Sequence, residues 1–102
     1  MFINIIKSYR DVVAICDKEL LGKKFEEPFE KGIRQLDVKE NFYKGEEVSE
    51  EKAIKIMKFM VAEDATFNII GSDSITAAIK AGVITKKSVG EIQGIPFALV
   101  LL

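Results

Sequence analysis

The side chains able to do chemistry are few, and their types narrow what that chemistry could be. The chain has no histidine, so it cannot assemble a Ser-His or Cys-His pair or a two-histidine metal motif. Most familiar hydrolytic mechanisms are thereby ruled out. Its one cysteine, Cys16, cannot form an intramolecular disulfide or a cysteine zinc site. It lies in the apolar run Val12-Val13-Ala14-Ile15-Cys16 and reads as a small buried hydrophobe rather than a nucleophile. No transition metal and no cofactor is expected.

The best-formed polar motif is Ile70-Gly71-Ser72-Asp73-Ser74, a strand ending in Gly and opening a helix. Gly71, Ser72 and Ser74 are therefore an anion-binding candidate, because a helix N-terminus presents free amide donors. Against this, Asp73 places a negative charge where an anion would sit, and Ser72 can satisfy the amides as an ordinary cap; the plain cap is the preferred reading. Lys23, Lys24, Phe25 and Arg34, together with Lys31 and Lys86-Lys87, are the candidate nucleic-acid or partner surface, a basic patch with an aromatic beside it. Glu26, Glu27 and Glu30 interrupt it, so an alternating-charge loop is favoured. The many glutamates show no alternating-position calcium loop and read as solvated surface. Asn68, inside a strand, is either a satisfied polar group or a donor lining a pocket.

The elements that must position these groups follow from the hydrophobic period. Phe2 to Lys7 and Val12 to Asp17 are β-branched runs separated by Ser8-Tyr9-Arg10-Asp11, which predicts an opening hairpin. Asp17 to Gly22 predicts one helical turn capped by Asp17, and Lys23 to Lys31, broken by Pro28, predicts a charged loop. Ile33 to Val38 is a strand candidate. From Ser49, an N-cap followed by Glu50 and Glu51, the stripe Ala53, Ile54, Met57, Met60 and Val61 predicts the main helix; Ile56 and Phe59 widen its apolar side, so it should be buried around most of its circumference. Thr66 to Ile70 is a short strand, and Ser72 caps a second helix ending in Lys80 before Gly82. Ser88 to Gln93 and Phe97 to Leu102 predict a closing hairpin around Gly94-Ile95-Pro96. The last strand, apolar on both faces, should be interior.

A chain of 102 residues, 48% hydrophobic and 30% charged with a net charge of −1, forms one compact domain over 1–102 and announces no electrostatic partner. The longest apolar run is far short of the roughly 20 residues that span a bilayer, and no secretory signal is visible, so the expected location is the cytoplasm, without a membrane partner. Strands that precede, separate and follow the helices without regular alternation predict an α+β class. The expected architecture is a mainly antiparallel or mixed sheet of about five to six short strands packed by two helices; in the alternative, Thr66 to Ile70 pairs in parallel.

The ordered landmarks Leu20-Leu21-Gly22-Lys23, Asn41-Phe42-Tyr43 with Gly45, Val48-Ser49-Glu50-Glu51, Asn68-Ile69-Ile70-Gly71 and Gly94-Ile95-Pro96 resemble a small archaeal family known as domain of unknown function 424. The resemblance covers nearly the whole chain and implies an archaeal cytosolic protein with a link to translation. The family pattern often has a His after the Pro near the C-terminus, where this chain has Phe97, so no role of that imidazole applies here. The expected function is a non-catalytic binding or accessory module for a protein or ribonucleoprotein partner. A homodimer through the C-terminal hairpin is also expected, because both faces of the last strand need cover. The alternative is a small-molecule or anion-binding enzyme subunit using the helix start at Gly71 to Ser74.

Overall fold

The structure, a computed structural model, describes residues 1–101. Along the chain run β1 (Phe2–Ile6), β2 (Val12–Cys16), a 3-10 turn (Lys18–Leu20), β3 (Lys24–Phe29), β4 (Gly32–Asp37), α1 (Glu40–Tyr43), β5 (Glu46–Glu47) and α2 (Glu50–Ala62). Then come β6 (Thr66–Ile70), α3 (Ser72–Lys80), a second 3-10 turn (Lys86–Ser88), β7 (Gly90–Ile92) and β8 (Ile95–Val100). Six strands form one mixed sheet in the order β5-β1-β2-β6-β8-β7, while β3 and β4 form a separate hairpin. The opening hairpin is as the sequence predicts, with Phe2 opposite Cys16. Within the sheet β2 and β6 run parallel and every other pair is antiparallel. No helix among the described residues is long and apolar enough to cross a membrane.

One sheet face carries Ile3, Val13, Ile15, Phe67, Ile69 and Ala98, the alternate positions of four neighbouring strands. On it lie α2, through Ala53, Met57 and Met60, and α3, through Ile75, Ala77 and Ala78. Burying Met57 alone stabilises the fold by roughly 2 to 3 kcal/mol. The Ser49 cap is present, its Oγ accepting from the Lys52 amide at 3.2 Å. Helix α2 is less enclosed than its composition predicts: Phe59 is 64% exposed and Val61 is exposed too. The reason is geometric, since a single flat contact covers only one stripe of a helix and α3 is its one helical neighbour of any length.

The opposite face, with Ala14, Cys16 and Ile70, is covered by Leu20, Leu36, Val38 and Tyr43. These come from the first 3-10 turn, β4 and the residue that follows it, and α1; Asn4 Nδ2 donates to the Phe42 carbonyl at 2.9 Å and ties α1 down. Two expectations are corrected here. Lys23 to Lys31 is not a loop: residues 24–29 form β3, with Pro28 opposite Ile33. Proline is tolerated because a two-stranded unit leaves alternate amides facing solvent. At the C-terminus the turn is Gln93-Gly94, with positive φ of 55° and 76°, so Ile95 and Pro96 belong to β8. Two consecutive left-handed residues make the tight turn whose twist matches a β-hairpin. β8 is interior over its first half, between β6 and β7, but ends at Val100; Leu101 is exposed, and Leu102 lies outside the described residues.

Asp17 makes a correction of its own. It makes no side-chain hydrogen bond to the turn that follows it. Because β2 and β6 are parallel, Cys16 ends opposite Ile70, and Asp17, which is 3% exposed, arrives beside the start of α3. Its Oδ1 accepts from the Ser74 amide and the Ser74 hydroxyl, each at 2.8 Å, and its Oδ2 accepts from the Asp73 amide at 3.1 Å. Gly71 precedes the helix at φ +110°, and a β-carbon there would overlap the Asp17 carboxylate. Asp17→Ala should therefore lower unfolding stability by roughly 2 to 4 kcal/mol, since it leaves helix-start donors without a charged acceptor. Asp73→Ala, at an exposed first-turn position, should change it by no more than about 0.5 kcal/mol. Urea denaturation of both variants decides the matter; equal losses would contradict this role for Asp17.

Candidate functional site

The anion-binding candidate is already filled by the protein itself. Of the helix start at Gly71, Ser72 and Ser74, the Ser74 amide and that of the intervening Asp73 meet Asp17 where a phosphate would sit, the Gly71 amide is taken by the Pro96 carbonyl, and Ser74 is wholly buried beneath the carboxylate. Ser72 stands exposed and is not the cap; its carbonyl accepts from the Thr76 hydroxyl one turn on. Asp17, Glu19 and Asp73 bring ligand oxygens within 4.8 Å of one another, but both Asp17 oxygens face α3 donors.

The basic and aromatic candidates are not brought to one surface. Lys24 is the cross-strand partner of Asp37, whereas Phe25 is the partner of Leu36 and Glu27 of Arg34. Successive residues of a strand face opposite ways, so Lys24 lies on the outer face of the hairpin while Phe25 and Arg34 share its inner face. Phe25 packs against the buried cluster under the sheet. Arg34 sits 3.6 Å from Glu27, and Glu27 in turn accepts from the Gln93 amide at 3.1 Å, pinning the hairpin to the β7–β8 turn. Lys23 is exposed at the strand entry.

What the inner face of the hairpin does build is a cleft of about 410 Å³ between β4 and the sheet. Ile70, Phe97 and Leu99 form its floor, and Leu36 and Ile92 its apolar wall. Its polar side chains are Arg34, on the inner face of the hairpin, and Tyr43; Gln35 and Asp37 border the cleft from β4, but their side chains share the outer face with Lys24. Of these only Arg34 was singled out in the sequence; Tyr43 lay in a short motif with no chemical signature, and Asp37 at the end of an irregular strand. Leu99 had a signal, the two-faced apolarity of the last strand.

Beside the cleft the sheet edge is open. The tight turn sets Ile92 opposite Ile95 and Gly90 opposite Phe97. In an antiparallel pair the residues that exchange hydrogen bonds alternate, so the outward-facing backbone groups of β8 belong to Ile95, Phe97 and Leu99. Strand β7 begins only at Gly90, opposite Phe97, which leaves the Leu99 amide and carbonyl with no strand beside them among the described residues. The Leu99 side chain is 56% exposed.

Comparison with known proteins adds family and fold. Residues 6–102 match the family model described as Protein of unknown function (DUF424). The crystal structure of an uncharacterized conserved protein from Methanopyrus kandleri superimposes with a TM-score of 0.81 at 27% identity, over 97% of this chain and 88% of that one. No curated protein matches the sequence.

Two buried acids lie together under this site. Burial pushes the Cys16 thiol from 9.0 up to about 11, with Asp17 adding to the rise. It likewise pushes the Tyr43 hydroxyl from 10.0 up to about 12, helped by Cys16 and Asp37. Both groups are held in their neutral form, so their contribution to stability is complete below the unfolded values and is lost as pH rises through the folded ones. Cys16 alone should cost the fold about 2 to 3 kcal/mol between pH 9 and 11. Urea midpoints measured across that window should fall steeply for the native chain and less steeply for Cys16→Ala; parallel curves would contradict the burial of the thiol.

Proposed function

This chain belongs to the DUF424 family of proteins of unknown function, whose matched stretch, residues 6–102, contains both the cleft and the open half of β8, and we propose that it works as a non-catalytic binding module. Its target is an extended segment of a partner protein, added to the sheet along β8 with side chains reaching the cleft. The observation that carries this reading is Leu99: backbone groups facing outward beyond the end of β7, and a half-exposed apolar side chain at the mouth of the cleft. Unpaired edge groups are a template for another strand. Residues 95–101 hold no charged side chain, so this edge lacks the lysines that commonly keep strands apart.

A second copy of the chain fits the edge less well. Pairing two copies about Leu99 would set Leu101 of one opposite Phe97 of the other, where Gly90 already holds the backbone groups. A segment from a different protein meets no such conflict.

The test is a pull-down from extract of the source organism with the intact chain and with Leu99→Pro, each with and without ribonuclease. Proline removes an amide that the register leaves without a partner, so the fold should keep most of its stability. The expected result is a retained protein that survives ribonuclease and is reduced at least about tenfold by Leu99→Pro, the effect of a lost backbone bond and a blocked edge. Retention equal for both chains, or abolished by ribonuclease, would overturn the reading. A concentration-dependent dimer mass lost in Leu99→Pro would replace it with self-association.

A further inference from the structure

Strand β7 starts late along β8, and the chain that leads into it sets the form of any guest on the open edge. The pairing of Gly90 with Phe97, continued backwards, would place Ser88 opposite Leu99. Instead Lys86–Ser88 form a 3-10 turn and the chain leaves the edge. The Pro96 carbonyl accepts from the Gly71 amide at 2.9 Å and so faces the β6 side; by alternation the backbone groups of Leu99 point into the gap. A strand lying in this gap in line with β7 runs antiparallel to β8 and meets the incoming Val89-Gly90 end to end. Its chain can lie opposite Leu99 and has no place beyond. A strand parallel to β8 would set its first residue against Gly90, not its last, and so bring a positive amino group to the turn.

That turn is itself basic. Lys86 and Lys87 are exposed and pair with no acid among the described residues, and Glu91 stands past Gly90, opposite Pro96. We propose that the guest is the C-terminus of a partner protein, its last residue opposite Leu99 and its free carboxylate held by the Leu99 amide and these two lysines. In an antiparallel pair that exchanges hydrogen bonds, the Leu99 amide donates to the carbonyl of the residue opposite. In a last residue that acceptor is a carboxylate oxygen, so the bond is charge-assisted and stronger. Residues opposite one another share a face, which places the last side chain beside Leu99 at the mouth of the cleft. The side chain before it lies beside Val100, which borders a hollow of about 270 Å³ lined also by Val61, Phe67, Val83 and Asp64. Both positions are largely apolar and Asp64 disfavours an acid at the second, so the recognised tail ends in two aliphatic residues and a carboxylate. The inference rests on the binding-module reading and adds which part of the partner is bound.

The peptide acetyl-Ser-Thr-Ser-Val-Leu with a free terminal carboxylate, and the same peptide as its terminal amide, test it when titrated into the intact isotope-labelled protein and followed by nuclear magnetic resonance. The acid should shift the amides of Leu99 and Val89 and bind at least about fivefold more tightly than the amide, the effect of one ion pair with its charge-assisted bond. In the double variant Lys86→Glu, Lys87→Glu, which alters two exposed side chains outside the cleft, that preference should vanish and the two peptides should bind alike. Equal affinity of acid and amide for the native chain, with Leu99 shifted by both, would overturn capture of a C-terminus and leave the edge reading standing. Shifts that map away from Leu99, no shift up to the solubility limit, or an undiminished preference for the acid in the double variant would each overturn the proposal as well. A shift of the Leu99 amide that grows with protein concentration in the absence of peptide would seat a second copy on the edge and overturn both readings.

Discussion

The carboxylate of Asp17, seated on the start of α3, is the contact on which the arrangement turns. It joins the end of β2 to the end of β6 and to the first turn of the helix that follows, three pieces 57 residues or less apart in sequence and within hydrogen-bond distance in space. In open sheets with parallel strands, ligands settle beyond the carboxyl ends of those strands, where a helix N-terminus presents its amides. Here β2 and β6 make that parallel pair, and the chain places its own anion in the position. Gly71 makes the close approach feasible, since its φ of +110° and missing side chain leave room for the carboxylate.

That closure leaves the start of α3 to the protein's own carboxylate, and the two sheet faces differ in how well they are covered. The helical face is filled by α2 and α3. The other is roofed by a two-stranded hairpin and a single turn of helix, which together hide Ala14, Cys16 and Ile70 but leave Leu99 half exposed and a cleft beneath β4. The same economy shows at the edge: three residues of β7 accompany six of β8. An incomplete face and an incomplete edge thus meet at one residue.

The parts legible in the sequence are those with local causes. Alternating β-branched runs marked β1 and β2, a capping serine and a 3.6-residue stripe marked α2, and the Gly82 that ends α3 was visible as a stop signal. What could not be read depends on long-range pairing. Strand β3 is rich in glutamate and carries Pro28, so its composition argues for a loop; only pairing with β4 makes it a strand. Asp17 looks like the cap of the turn beside it, because nothing nearby reveals that β2 and β6 will bring α3 into reach. Phe59 looks buried because periodicity locates an apolar residue on a helix but does not say how wide the facing surface is. Tyr43 is invisible as a cleft residue for the same reason: its place beside the cleft is set by how α1 packs under the sheet.

That β8 is paired along one side and open along half of the other is the central claim, and amide hydrogen exchange in the free protein tests it most directly. The amides of Ala98 and Val100 face β6 and should exchange at rates set by opening of the sheet, whereas the amide of Leu99 should exchange orders of magnitude faster, close to the rate of an unstructured chain. Protection of Leu99 equal to that of its two neighbours, at every protein concentration, would show the edge to be closed and would contradict the account.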